Sequence, residues 1–168
     1  MAQKPIRILI LGFTESGKDE LIEHYAGQQE NLTETIGIDF RTKFLDIEGK
    51  KIKIQLWTTA GQEKFREFDN KTMFRSSNAV AFIFDTSNRD SFDRIKAWTK
   101  SFRNIVDPPL DAILIGNKCG TECLVTKDEV EEIAKLYNMR YFETSVESNY
   151  ENANEAFDFL ATEVYKHH

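Results

Sequence analysis

Between Gly12 and Lys18 the chain reads Gly-Phe-Thr-Glu-Ser-Gly-Lys, and the setting of this segment constrains the fold more than any other feature. Ahead of it, Ile6 to Gly12 (IRILILG) is a continuous apolar run that stops at a glycine, as a strand buried on both faces does. Behind it, Leu21, Ile22 and Tyr25 fall at helical spacing. A buried strand, a glycine-bracketed turn and a helix make the opening unit of a parallel sheet with helical crossovers.

The remaining pattern repeats that alternation. Phe40 to Ile47 and Lys51 to Trp57 alternate apolar with polar, and Glu48-Gly49-Lys50 supplies a turn, which predicts a β-hairpin. Ala79 to Asp85 and Asp111 to Asn117 are again continuous apolar strands. Phe92, Ile95, Trp98, Phe102 and Ile105 form one helical stripe, closed by Pro108-Pro109. Thr126 to Glu129 is a capping box opening a further helix, and Asn152 to Glu155 has a similar spacing ahead of Phe157, Leu160 and Val164. The sum is an α/β fold, a mostly parallel sheet with helices on both faces, and its ligand site belongs at the carboxyl ends of the strands.

Composition narrows the function. The 168 residues suit one domain, with no linker or repeat, and are expected to form one unit over 1–168. Lys+Arg number 22 against 28 Asp+Glu, a net charge of −6, and the pI is near 5.2, which argues against nucleic acid as partner. No apolar run approaches the ~20 residues that span a bilayer, and Met1 to Arg7 lacks a signal-peptide layout. Cys119 and Cys123 are too few for a disulfide framework or a zinc site and read as free thiols. A soluble intracellular domain is expected.

The chemistry lies in Gly12 to Lys18, which fits the phosphate-binding pattern G-x-x-x-x-G-K. Its glycines let backbone N–H groups turn toward phosphate oxygens, and Lys18 adds a positive charge. The pattern normally ends in a Ser or Thr that holds Mg²⁺; here it ends in Asp19.

Together with Thr35 to Phe40 (TIGIDF), Leu56 to Glu63 (LWTTAGQE), Asn117-Lys118 and Glu143 to Val146 (ETSV), this loop resembles the small Ras-like GTPases, the Rab branch in particular, from Ile6 to about Tyr165. The resemblance implies a G-domain with a six-stranded sheet, GTP/GDP and Mg²⁺ as cofactors, and slow GTP hydrolysis in a vesicle-trafficking switch. It implies that Gly12, Glu15, Ser16, Gly17 and Lys18 surround the phosphates. Thr35 would ligate Mg²⁺, Gly61 would sense the γ-phosphate, and Gln62 would orient the attacking water as the catalytic residue. Asn117, Lys118, Ser145 and Val146 would surround the base. Effectors and regulators would bind the switch regions Thr35–Phe40 and Trp57–Phe74, with Ile38, Phe40, Trp57 and Phe74 as an apolar face. The resemblance places such a chain in the cytoplasm, and at endomembranes if a lipidated tail lies outside these residues, since Val164 to His168 carries no lipidation signal.

Several positions depart from that pattern. Asp19 stands where a metal-binding hydroxyl is usual and Thr58 where a carboxylate is usual, so the two chemical types are exchanged. One reading keeps Mg²⁺ on Asp19, Thr58 and Thr35; the other has both positions drifting after metal binding was lost. Gly120 replaces the aspartate that accepts two hydrogen bonds from guanine, and Glu122 is a solvated loop acid or a distant substitute. The stretch from Asp19 to Thr35 is two residues short, and Ala26 to Thr35 holds no aromatic to stack on a base. Thr14 brings a β-branched side chain near the γ-phosphate, and Val146-Glu147 replaces the usual Ala-Lys. The readings left open are a slow guanine-nucleotide switch, a pseudo-GTPase interaction module, and an enzyme of relaxed or adenine specificity.

Overall fold

The computed structural model describes residues 4–12, 16–27, 38–59, 76–105, 110–120, 122–145, 148 and 150–167. Among these residues six strands and four helices occur: β1 (Ile6–Leu11), α1 (Lys18–Ala26), β2 (Ile38–Ile47), β3 (Lys50–Thr59), β4 (Ala79–Asp85), α2 (Arg89–Ile105), β5 (Asp111–Lys118), α3 (Lys127–Leu136), β6 (Arg140–Ser145) and α4 (Ala153–His167). They build one sheet in the order β2-β3-β1-β4-β5-β6, with only β2 antiparallel to its neighbour.

The apolar runs explain the layers. Every residue of β4 is buried, because helices cover both of its faces. In β1, Ile6, Ile8 and Ile10 face a core built with Leu21, Ile22 and Tyr25 of α1 and Ala156, Phe157, Leu160 and Val164 of α4. The alternate residues Leu9 and Leu11 face the other core, with Phe92, Ile95 and Phe102 of α2 and Val130 and Ile133 of α3. Tyr25 ties α1 to α4 by donating its hydroxyl hydrogen to Asp158 (2.7 Å); burial and that carboxylate push the phenol pKa up.

One local expectation is corrected. The hairpin turn is tighter than Glu48-Gly49-Lys50, because Lys50 already pairs with Ile47. Glu48 (φ 52°) and Gly49 (φ 79°) alone make the bend, the left-handed pair that suits the twist of a two-residue hairpin. Asn152 sits at φ 74° and donates its side-chain amide to the Glu143 carbonyl (3.1 Å), tethering the start of α4 to β6. Thr126 forms the expected capping box: its hydroxyl accepts from the Glu129 N–H while the Glu129 carboxylate accepts from the Thr126 N–H. The Arg89 guanidinium and these Thr126 hydrogen bonds hold the Glu129 carboxyl down to about 2.

Candidate functional site at the carboxyl end of the sheet

The register of the parallel strands brings polar residues into one row where the apolar runs end. Asp85 of β4 pairs with Asn117 of β5, and Asn117 pairs with Thr144 of β6. All three are buried. A polar group placed there needs partners, because an unsatisfied buried donor or acceptor costs ~1–3 kcal/mol.

Asn117 is the hub. Its amide donates to the Ser16 carbonyl (3.0 Å), its oxygen accepts from the Thr144 hydroxyl (2.9 Å), and its side chain is fully buried. One side chain therefore joins the loop after β1 to the ends of β5 and β6. Gly17 makes this approach possible. It adopts the left-handed region (φ 75°), and a Cβ there would stand 2.5 Å from the Asn117 amide nitrogen and 3.2 Å from the Cys119 sulfur.

Gly17 leads straight into α1, so the free N–H groups of the first helical turn open beside Lys18. The Lys18 side chain is only 5% exposed, and its ammonium lies 3.3 Å from the Asp19 carboxylate. The Asp19 side chain is half exposed. Gly12 and Ser16 are buried at the foot of the same loop. A buried lysine, a left-handed glycine and a helix N-terminus converge as an anion site requires.

Asp85 organises the neighbouring loop. One of its carboxylate oxygens accepts from the Ser87 N–H (2.8 Å), the Ser87 hydroxyl (2.6 Å) and the Cys119 N–H (3.3 Å). Gly120 packs against the same serine: a Cβ at 120 would lie 2.7 Å from the Ser87 Oγ and 3.0 Å from its Cβ. Glu122 is exposed. The Cys119 thiol faces the Ser16 carbonyl at 3.5 Å; the residue is exposed overall, but partial burial of its sulfur, with the Asp85 and Glu20 carboxylates nearby, pushes the thiol up to about 12. Cys119 and Cys123 are both free.

Of the residues singled out in the sequence, Gly12, Ser16, Gly17, Lys18, Asp19 and Asn117 gather at this pole. Lys118, half buried, ends β5 opposite Ser145, whose carbonyl accepts from the Tyr150 N–H (2.8 Å) and the Ser148 hydroxyl (3.2 Å). Thr58 is buried near the end of β3. Trp57 packs against the α2 core and carries the Arg7 guanidinium 5.0 Å from its ring centre. Thr14, Glu15, Thr35, Gly61, Gln62, Phe74 and Val146 lie outside the described residues, as do the side chains of Ile38 and Phe40.

Asp85, Ser87 and Thr144 were not anticipated as site-shaping residues. Asp85 had a legible signal, a carboxylate closing a seven-residue apolar strand, since such a group must find donors at the strand end. A cavity of about 780 Å³ lies at the opposite end of the sheet, beside Asp111 and Arg140 where β5 and β6 begin, and is separate from this pole.

Among the described residues no cluster of three His, Cys, Asp or Glu offers a protein-only metal cage. Mg²⁺ does not need one, because one or two protein oxygens plus phosphate and water complete its shell. Asp19 carries a half-exposed carboxylate and Thr58 a buried hydroxyl, each an oxygen donor of the hard type such a cation takes.

Comparison with known proteins agrees with this geometry. The sequence profile described as Ras family matches residues 7–166. The chain is 38% identical over 162 residues to the Ras-related protein Rab-13 of Bos taurus, covering 94% of this chain and 79% of that protein. It is 34% identical over 162 residues to the Ras-related protein Rab-8B of Homo sapiens, covering 94% and 77%. With the Ras-related protein Rab-26 of Rattus norvegicus it shares 34% over 163 residues, covering 94% and 63%.

Proposed function

The chain belongs to the Ras family of small GTPases, on its Rab-like side, and from that premise we propose that it is a guanine-nucleotide-dependent switch with slow GTP hydrolysis, acting in vesicle trafficking. The observation that carries this reading is the buried Lys18 beside the N-terminus of α1, knitted to the base loop through Asn117.

In this reading the N–H groups of the first turn of α1 and the Lys18 ammonium receive the phosphates. Asn117 fixes the distance between phosphate and base ends. Lys118 and the Ser145 loop flank the base, and Gln62 orients the attacking water. Mg²⁺, when bound, neutralises phosphate charge; Asp19, Thr58 and Thr35 are the residues that would hold it. No arginine in the motifs is placed to stabilise the transition state, so turnover without a partner is slow. Among the described residues no helix is long and apolar enough to cross a membrane, and effectors and regulators would meet the switch segments around Thr35–Phe40 and Trp57–Phe74.

A second reading, the pseudo-GTPase, draws on two specific observations. Gly120 leans on Ser87 and offers guanine no side-chain acceptor, and Asp19 already occupies the Lys18 ammonium. Denaturing protein purified with Mg²⁺ and chromatographing what is released separates the two. The switch predicts near-stoichiometric GDP or GTP; an empty protein, or one holding adenine nucleotide, overturns it.

The exchange of chemical types at 19 and 58 has its own test. If both residues serve one metal, Asp19→Ser and Thr58→Asp each weaken Mg²⁺-dependent GDP affinity, and the double variant recovers much of the loss. A coupling of ~0.5–3 kcal/mol is the range for groups sharing a partner. Losses that simply add would remove Mg²⁺ from this pair.

A further inference from the structure

We propose that the Ser87 hydroxyl is the acceptor that reads the base, taking the N1–H of a 6-oxopurine where Gly120 has no carboxylate to offer. The inference rests on the nucleotide reading above and deepens it, by assigning a specificity-determining residue at the base end.

Position 120 is glycine although its backbone lies outside the left-handed region. What crowds out a side chain there is Ser87, since a Cβ at 120 would stand 2.7 Å from the Ser87 Oγ and 3.0 Å from its Cβ. The place where a side chain at 120 would begin is thus held by a hydroxyl oxygen. Ser87 is fixed there from both ends of the base loop. The Thr86 N–H donates to the Asn117 carbonyl (3.1 Å), and the Thr86 carbonyl accepts from the Leu124 N–H (2.8 Å). The Ser87 N–H donates to Asp85 (2.8 Å), which also accepts from the N–H of Cys119, the residue before Gly120 (3.3 Å). Ser87, Lys118 and Gly120 are each only half buried, so this corner of the pole is open to a ligand.

The hydroxyl hydrogen decides what this oxygen can do. A serine hydroxyl has one hydrogen and two lone pairs. Here the hydrogen is committed to the Asp85 carboxylate at 2.6 Å, the length of a charge-assisted O–H···O⁻ bond. Toward a ligand the Ser87 Oγ is therefore an acceptor alone. Guanine and hypoxanthine carry a hydrogen on N1 and present a donor, whereas adenine presents a lone pair there. A site built to accept from an N–H rejects the analogue that lacks it, because polar groups are then left unpaired. A carboxylate has two oxygens and can take both N1–H and the guanine 2-amino group; Ser87 supplies one oxygen. The specificity expected is for the 6-oxopurine, with little weight on the 2-amino group.

The test titrates GDP, inosine diphosphate, ADP and pyrophosphate calorimetrically, in Mg²⁺, into the full chain stripped of nucleotide. The parent should hold GDP and inosine diphosphate within about threefold of each other, and both at least about tenfold tighter than ADP. Ser87→Ala should lose roughly five- to fiftyfold for the two 6-oxopurines, with ADP and pyrophosphate within about twofold of the parent. Gly120→Ala leaves Asp85 its donors but presses a methyl onto the Ser87 Oγ, so it should reproduce the selective loss and carries the test if Ser87→Ala fails to fold. In Ser87→Ala/Gly120→Asp the space left by the hydroxyl admits a carboxylate, so GDP affinity should recover and exceed that for inosine diphosphate about tenfold. Parent-like GDP affinity in either single variant, or an equal loss of ADP and pyrophosphate, would overturn the acceptor role while leaving the nucleotide reading intact. A parent that binds GDP and ADP alike would overturn the acceptor and keep the phosphate site. A parent that binds none of the four would overturn both.

Discussion

Replacing Asn117 by alanine should lower unfolding free energy by about 2–4 kcal/mol and abolish tight nucleotide binding in the same protein. The side chain is fully buried and makes two hydrogen bonds that cross between segments more than twenty residues apart in sequence, to Ser16 and to Thr144. Truncation removes the donor to the Ser16 carbonyl and the acceptor for the Thr144 hydroxyl, at ~1–3 kcal/mol for each group left unsatisfied. For a chain of this size that loss lowers the melting temperature by about 5–15 °C. Asn117→Asp is the harsher change: its carboxylate still accepts from Thr144 but is fully buried against the Ser16 carbonyl with no hydrogen to offer, so it should cost at least as much stability as alanine and leave little affinity. Both variants are to be melted with and without GDP, because a ligand bound only to the folded state raises stability by its own mass action. An alanine variant that melts like its parent would show that the two loops are held by something else.

The consequence reaches function through distance. In the proposed switch Asn117 would set how far the phosphate end stands from the base end, and Gly17 can approach Asn117 only because it has no Cβ. A shift of the Ser16 carbonyl therefore moves the first N–H groups of α1 as well. Orientation of this kind is costly to lose, since donors arranged in advance need no reorganisation when the ligand arrives.

How much of this was legible in the chain depends on the kind of signal. The strands β1 and β4 could be bounded from their apolar runs because both faces are buried and the pattern is continuous. The junction of β1 with α1 was legible because a buried apolar run, bracketing glycines and a helical stripe follow one another there. The cap at Thr126 was legible since its partner Glu129 lies three residues on. What the chain concealed depends on contacts between distant segments. The three donors on Asp85, the close approach of Gly120 to Ser87 and the Asn152 tether to Glu143 are set by register across strands. Local periodicity carries no record of those.

Lys18 should behave in the opposite way to Asn117, losing affinity without losing the fold. Its partner in the structure is Asp19, whose side chain is 53% exposed and readily solvated, so Lys18→Ala should change stability by less than about 1 kcal/mol in the absence of nucleotide. In the proposed switch the same change would remove the ammonium that Lys18 directs at phosphate. A hydrogen bond to a charged group is worth ~1.5–3 kcal/mol, and an ammonium makes several, so GDP affinity should fall about a hundredfold or more. Asp19 supplies the internal control. While it holds the ammonium it competes with phosphate, so Asp19→Ser should raise metal-free affinity for GDP even as it lowers the gain from Mg²⁺. In the Lys18→Ala background that metal-free gain should shrink, because the lysine that Asp19 would otherwise occupy is gone. Titrating GDP into the four proteins, with EDTA and then with Mg²⁺, reads both effects. Equal affinity in Lys18→Ala and its parent would leave the loop a structural turn, and the pseudo-GTPase reading would then follow.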